Sequence, residues 1–398
     1  MIDYIKNKFL YGSIAIGSLI FIISSGGSTL LRILGLVLMF GSFAIHIFKN
    51  RMFISRPILV ACGCFCLALA IGVVRSAVEG NEHSAIYYLA IFLVFLFPLL
   101  LGVFSSYNAE YLNRLIKFIS WSYVVLFFIV FFLLFLLRQQ FGATLLLFVK
   151  GNEYFEGLYY RPVLMFEYYP AVWFQFSILA MPFALWNLYR NNMRLFFLLA
   201  LIVFLSLNRT GSIIVIAFYI IRLFKHETTI SKFFLYFVFL LPFLFFGLCA
   251  ILYLAYSTDF VNDGSGLGIR LGHIISVFDN LYRVENFLFG MGADSSFLTL
   301  GRMDAGLVWD QEISYLEILR RFGVVGYLLF SCGFFISLLH FYNSKDWPAF
   351  YSFFGYILFS FTNPSLISMT FAIFFAIISS SGRQTNLRKT NIEAASFT

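Results

Sequence analysis

Long apolar runs, separated by short polar breaks, recur along most of the chain. A transmembrane helix needs about 20 mostly apolar residues, so each run is a candidate span. The pattern predicts an all-α polytopic membrane protein with about 12 transmembrane helices. The predicted spans lie near residues 10–23, 29–48, 58–78, 84–104, 117–137, 168–188, 195–208, 210–224, 233–257, 322–342, 348–362 and 366–381.

Two of the predicted turns leave their neighbouring runs shorter than a perpendicular span. One is Asn208-Arg209-Thr210-Gly211 and the other is Thr362-Asn363-Pro364. Because Asn, Gly and Pro interrupt helices, these runs are predicted as hairpins and also fit interrupted or re-entrant helices. A single span over residues 195–224 would leave Arg209 in lipid, so two helices are preferred there.

The distribution of positive charge predicts the orientation of these spans. With both termini in the cytoplasm, sixteen of the 27 Lys and Arg residues face the cytoplasm. That side then has a strong positive-inside bias. The same topology places two long segments, residues 138–167 and 258–321, on the outer face of a single transmembrane domain that spans 1–398. The cytoplasmic loops are short, so the functional residues are expected on the outer face.

Composition narrows the class of protein. Hydrophobic residues make up 61% of the chain, charged residues 12% and aromatic residues 21%, with a mean hydropathy of +0.90. Soluble domains carry roughly 25% charge, so a soluble enzyme, a disordered chain and a fibrous repeat are excluded. The five cysteines lie in apolar runs at spacings that match no zinc or disulfide pattern, and neither a metal nor another cofactor is expected. The apolar start of the chain has no convincing signal-peptide cleavage site, which predicts an uncleaved first span.

Ten of the eleven basic residues predicted on the outer face are arginines. Arg binds phosphate oxygens in pairs and stays protonated, so this skew fits a surface that holds a diphosphate. Depletion of Lys by the topology rule explains the skew equally well, and both interpretations stay open. Arg209, in its turn between apolar runs, is either a functional residue or an arginine that reaches the lipid headgroups.

The two outer segments supply the remaining candidates. The first interleaves acids, Arg161 and clustered tyrosines that include Tyr160, a composition that fits a sugar-binding surface, with an interfacial tyrosine belt as the alternative. The second contains Arg270, Asp310 and Glu312. Its glycine-rich stretch at 264–268 is a weak signal for anion binding and is better explained as a linker.

Taken in order, scattered motifs over roughly residues 155–330 resemble the O-antigen ligase and polymerase superfamily. The residues that carry the resemblance are Arg161 with Phe166 and Pro170, Ser206-Leu-Asn-Arg209-Thr-Gly, Arg270, Phe289-Gly-Met-Gly292, and Glu312-Ile-Ser-Tyr315-Leu with Gly323 and Gly326. Ligases of that superfamily carry a His-Asn-x-Tyr-Leu motif, and here Glu312 and Ile313 stand at its first two positions. The chain therefore resembles the Wzy-type O-antigen polymerase branch.

This resemblance implies a multi-pass inner-membrane glycosyltransferase of the GT-C class, with its active site facing the periplasm. It would join undecaprenyl-diphosphate-linked oligosaccharides, as donor and acceptor, with inversion of the linkage. Arg209 and Arg270, with Arg161, would bind the diphosphate. Glu312 would be the general base for the acceptor hydroxyl or would orient it, with Asp310 as the second candidate. Tyr160 and Tyr315 are expected to contact substrate. Membrane lipid, a chain-length determinant protein and a flippase are the implied partners, and no nucleic acid is expected.

Three other functions stay open at the level of sequence. A ligase that transfers polymer to lipid A-core shares the donor and the face, and Glu312 is the residue that argues against it. A lipid-linked oligosaccharide transporter would predict ionisable residues at mid-membrane depth and internal repeats. A non-catalytic scaffold of polysaccharide export would not need Arg209 or Arg270.

Overall fold

The computed structural model of the chain describes seventeen segments of it, and most of their residues are helical. The described residues are 16–17, 34–35, 37–38, 55–79, 113–129, 131–132, 158–163, 166–172, 175–206, 208–223, 227–255, 266–293, 295–301, 307–308, 313–361, 366 and 369–379, with gaps between these ranges. We number ten of the helices in chain order: Arg56–Val78 (α1), Gln175–Tyr189 (α2), Met193–Leu205 (α3), Arg209–Leu223 (α4), Glu227–Ala255 (α5), Gly266–Asn280 (α6), Val284–Phe289 (α7), Ser314–Asn343 (α8), Trp347–Phe359 (α9) and Met369–Ser379 (α10). Residues 113–129 are also helical.

Within the described residues, three helices are long and apolar enough to cross a membrane. They are Arg56–Val78, Thr229–Tyr253 within α5, and Ser314–Asn343. The mostly helical architecture is consistent with the predicted helical membrane protein. The twelve-span count, the single domain and the orientation remain predictions, and the chain ends and predicted span 84–104 lie outside the described residues.

Two small antiparallel sheets depart from the all-α prediction. Strands β1 (Leu158–Val163) and β2 (Phe166–Val172) pair, and so do β3 (Phe297–Leu298) and β4 (Leu307–Val308). The span predicted at 168–188 is therefore wrong at its start, because residues up to Val172 are in β2 and the helix begins at Gln175. Pro170 disfavours helical backbone at the residue before it, which hydropathy does not register.

The predicted outer segment 258–321 is not simply a loop. It contains α6, α7 and the short strands, and its last residues belong to α8, which begins at Ser314 rather than near residue 322. Hydropathy starts the predicted span only after the charged residues Glu317, Arg320 and Arg321. These side chains lie inside the fold and bond to one another, so a helical segment runs from Ser314 through them as far as a break at Gly323.

Helices α1 and α8 pack side by side and antiparallel. Ser55, just before α1, lies 3.5 Å from His340 near the end of α8. Midway along the pair, the rings of Phe65 and Phe330 are 5.4 Å apart. At the opposite end, Gly72 lies so close to Phe322 that a Cβ would overlap its ring. Residues that the topology assigns to one face, such as Arg75 and Arg321, therefore lie at the same end of this pair.

Around α2 the helices pack through rings and small polar contacts. Helix α2 packs on α3, α4 and α9. Ser352 of α9 donates a 2.6 Å hydrogen bond to the carbonyl of Pro182 in α2. Beside them, α10 contributes buried Phe371, Phe374 and Phe375. Since lipid gives helices no hydrophobic drive to associate, such close packing is what holds helices together in a membrane.

Candidate functional site

The turn that carries Arg209 is built by its neighbours in the motif. The Asn208 side chain accepts a 2.9 Å hydrogen bond from the backbone N–H of Gly211, so Asn208 caps the start of α4. Gly211 fits here because a Cβ would lie 3.0 Å from Val203 of α3. Arg209, the first residue of α4, is exposed. The sequence thus folds into the predicted hairpin of two helices and presents Arg209 at its tip.

Contacts along α4 show at which end of the bundle Arg209 lies. Phe218 packs on Phe354 of α9, with ring centroids 5.9 Å apart. One turn earlier, Ile214 lies beside Gly355. Helices α4 and α9 therefore run antiparallel, and Arg209 lies toward the end of α9 near Phe359.

Tyr315 lies at that same end, and it is buried. Its ring is 4.4 Å from that of Phe361 and 5.7 Å from that of Phe245. Its hydroxyl donates a 3.1 Å hydrogen bond to the carbonyl of Ile357 in α9. A substrate contact by Tyr315, as predicted, would have to replace this bond or use the ring alone.

Arg270 lies in the first turns of α6 and is half-buried. The C-terminal part of α6 packs on α5 through Phe278 and Phe246, whose rings are 5.8 Å apart. Because Phe246 follows Phe245, which touches Tyr315, α6 lies at the end of the bundle that also carries Tyr315 and Arg209. The structure thus brings the elements of these three predicted site residues to one end.

Of four further predicted site residues, the structure describes the backbone of two and does not describe the other two. Tyr160 and Arg161 lie on β1, where their backbones pair with Pro170 and Tyr169 of β2, while their side chains are outside the described part of the structure. The hairpin does join Arg161 to the Phe166 and Pro170 positions of the same motif. Asp310 and Glu312 lie outside the described residues.

A cluster of buried charges at the start of α8 was missed by the sequence analysis. Arg320 is 0% exposed and donates to both carboxylate oxygens of Glu317, at 2.9 and 2.6 Å. Arg321 donates from Nε to the same carboxylate. The spacing of three and four residues on one helix was the signal that could have revealed the cluster.

The same arginines reach across to the chain that follows α7. Arg320 Nη1 donates to the carbonyl and the hydroxyl of Ser295, at 2.7 and 2.8 Å, and its guanidinium lies 4.6 Å from the ring centroid of Phe297. Arg321 Nη1 donates to the carbonyl of Ala293 at 2.9 Å. The two guanidinium groups therefore hold this segment against α8.

Two glycines make that close approach possible. The backbone of α8 breaks at Gly323, which has φ 63°, and Gly290 has φ 77°. A Cβ on either residue would overlap the backbone of the other segment, at Leu288 or Arg321. At the break the carbonyls of Arg320 and Arg321 accept hydrogen bonds from Met291 and Gly292.

Arg75 of α1 completes this region. Its guanidinium donates to the Asn286 side chain at 3.0 Å and to the carbonyl of Gly290 at 3.3 Å, and it lies 2.6 Å from Glu79. The backbone of Ala293 donates to the carbonyl of Gly72 at 3.0 Å. We call this meeting of α1, α8 and residues 290–297 the polar junction.

Among the described residues, no group of three His, Cys, Asp or Glu side chains could hold a metal ion. His273, one helical turn after Arg270, is buried, and its Nδ1 lies 2.8 Å from the hydroxyl of Thr299. Comparison of the chain with protein-family models, with curated proteins and with solved structures gives no match.

Proposed function

We propose that the protein is an O-antigen polymerase, which joins polyprenyl-diphosphate-linked repeat units at the periplasmic face of the inner membrane. The observation that carries the proposal is the placement of Arg209 and Arg270 in elements at one end of the helical bundle. In the predicted topology this end is the outer face, where nucleotide sugars are absent and a lipid-linked donor is required.

The proposed chemistry follows from charge. The growing chain is the donor, and a hydroxyl of the incoming unit attacks its anomeric carbon from the face opposite the lipid diphosphate. As the glycosidic bond breaks, the diphosphate leaves with its bonding electron pair. Fixed guanidinium groups at Arg209 and Arg270 would stabilise that developing charge, a role worth roughly 2–4 kcal/mol per donor. The attacking hydroxyl gives its proton to the carboxylate of Glu312, with Asp310 as the second candidate.

The two classes of arginine support this assignment. Arg320 uses its donors on Glu317 and Ser295 and has no exposed surface, so it is committed to the fold. Arg209 is exposed at the start of α4, where its guanidinium can meet a ligand, and Arg270 is half-buried in the first turns of α6. Planar, permanently charged guanidinium is suited to paired phosphate contacts.

The test is a gel of surface polysaccharide from a host that lacks the gene, complemented with intact protein or with single variants. We expect the intact protein to restore a ladder of repeat lengths, and Arg270→Lys and Arg209→Lys to give a much weaker and shorter ladder, because Lys keeps the charge but cannot form the paired contact. Arg283→Lys is the matched control, since Arg283 is also an exposed arginine of the predicted outer segment.

Other patterns would assign the alternatives. Loss of even the single-repeat band, with lipid-linked polymer accumulating, would indicate a ligase. Accumulation of unpolymerised units on the cytoplasmic side would indicate a transporter. Near-normal ladders from both Lys variants, with wild-type amounts of protein, would contradict the diphosphate role of the two arginines.

A further inference from the structure

One segment connects the buried charges of α8 to the helix that carries Arg270. We call residues 290–293 and 295–301 the strap. On one side, two carbonyls of the strap accept hydrogen bonds from α8. Ser295 accepts from Arg320, and Ala293 accepts from Arg321. On its other side it packs along α6, which begins four residues before Arg270. The strap thus contacts the buried charges of α8 on one side and the helix that carries Arg270 on the other.

Three contacts fasten the strap to α6 on either side of Arg270. The hydroxyl of Thr299 lies 2.8 Å from Nδ1 of His273, one turn after Arg270. The backbone N–H of Leu300 donates to the Ser276 hydroxyl at 2.9 Å. Gly301 lies against the carbonyl of Ile269, so closely that a Cβ there would overlap it. The backbone of α6 at Arg270 is therefore set by where the strap lies.

The cluster fixes the strap through several directional hydrogen bonds. Glu317 binds one edge of the Arg320 guanidinium, through Nε and Nη2, and Nη1 of the same group donates to the hydroxyl of Ser295. Phe297 covers its face at 4.6 Å and lies 6.5 Å from His273, ring to ring. A planar group held in this way restricts where the strap can lie, and a charge-stabilising site needs its groups held to within about 0.5 Å.

We propose that Glu317 and Arg320 are positioning residues, which act through the strap to hold Arg270 where it binds the diphosphate of the lipid-linked substrate. The inference rests on the proposed function for its substrate. It assigns to the buried pair a role that neither residue could have by direct contact, since both are enclosed by protein.

The experiment uses the full-length protein in lipid nanodiscs. Its variants are Glu317→Gln, which removes the charge that orients Arg320, and the milder Ser295→Ala, which removes only a hydroxyl from the strap. The control is Glu285→Gln, because Glu285 lies on the neighbouring α7 and its side chain is 77% exposed. Amide hydrogen exchange reports on the strap, on α6 and, as a check of folding, on α9.

We expect faster exchange in residues 290–293 and 295–301 and in the first turns of α6 for both variants, with α9 unchanged in Ser295→Ala and less affected than α6 in Glu317→Gln. Unchanged exchange in α6 when the strap exchanges faster would overturn the proposed path. Global acceleration that includes α9 in Glu317→Gln would make that variant uninformative about position, and Ser295→Ala then decides. This arm needs no enzymatic activity.

The second arm measures polymerisation with a polyprenyl-diphosphate-linked repeat unit. We expect Glu317→Gln to lower kcat/KM by about tenfold in the wild type and to have little further effect in an Arg270→Lys background, because residues that act through one another are not additive. An equal loss in both backgrounds would overturn the positioning role. If the wild-type protein forms no polymer, the proposed function fails, while the exchange arm still decides whether the cluster sets the position of α6.

Discussion

Two buried regions of the protein are held together in different ways. The aromatic core, formed by the rings of Phe183, Phe353, Tyr356, Phe371, Phe374 and Phe375, joins α2, α9 and α10. The polar junction joins α1, α8 and the strap through guanidinium, carboxylate and backbone groups. Phe353 of the core and Arg320 of the junction are both 0% exposed, so burial alone does not distinguish the two regions.

The two regions differ in whether a buried group that loses one contact keeps others of the same kind. Phe353 packs against four rings, from Phe334, Phe341, Phe371 and Phe375, at 5.5 to 6.2 Å. A ring that shifts keeps most of these contacts, because dispersion has little direction. Glu317, by contrast, is the carboxylate that serves both Arg320 and Arg321. The core is expected to tolerate conservative change, and the junction is not.

The largest effect should follow from removing the junction's carboxylate. Glu317→Gln leaves two buried guanidinium groups without their counter-charge, which should lower the free energy of unfolding by about 3–5 kcal/mol. Reversible denaturation in detergent would measure it. Glu285→Gln is the control, because Glu285 forms an exposed ion pair with Arg75, 3.6 Å between the charged atoms. Such a pair contributes at most about 1 kcal/mol to the free energy of unfolding. Equal losses from the two variants would mean that the junction is solvated.

A backbone change should come next. Gly323→Ala places a Cβ at φ 63° and into the backbone of Leu288, so we expect a loss of about 2–4 kcal/mol from strain and overlap together. Gly63→Ala is matched to it, since Gly63 lies inside α1 with open space around it. That variant should gain about 0.5–1 kcal/mol in helix propensity. If Gly323→Ala left the free energy of unfolding unchanged, the close packing of α7 on α8 would be contradicted.

The sequence predicted the aromatic part of the molecule better than the junction, for a physical reason. Hydropathy and turn chemistry are local, and they sufficed for α3, α4 and the turn at Asn208. They also placed Arg209 in that turn. The bonds of the junction join residues far apart in the chain, as Arg75 and Asn286 do, and no periodicity encodes such a pair.

The start of α8 shows the same limit from within one helix. A hydropathy window counts each charge of Glu317, Arg320 and Arg321 as a cost. It therefore placed the start of the span at residue 322, next to the break at Gly323, and did not predict the helical segment before it. Mutual bonding removes much of that cost, and the spacing of the three residues was the available clue. The strap contacts at Ser295 and Thr299 had no such clue, because serine and threonine in a segment between helices are ordinary.

A conservative change in the aromatic core should cost less than either junction variant. Phe353→Leu keeps an apolar side chain of similar volume among the surrounding rings, so we expect a loss of about 1–1.5 kcal/mol. The same denaturation series would measure it beside Glu317→Gln. If Phe353→Leu cost as much as Glu317→Gln, the proposed contrast between replaceable and irreplaceable partners would be wrong.

The smallest expected effect tests the boundary between the two regions. Tyr315 lies two residues before Glu317 on α8, yet its ring packs with Phe361 in an aromatic contact. Tyr315→Phe keeps the ring and removes the hydrogen bond to the Ile357 carbonyl, which should cost about 0.5–1 kcal/mol in the free energy of unfolding. Because the hydroxyl is already bound within the fold, we expect the polysaccharide ladder to be unchanged. A lost ladder in a protein of normal stability would show instead that the Tyr315 hydroxyl leaves Ile357 and contacts the substrate, as the motif predicts.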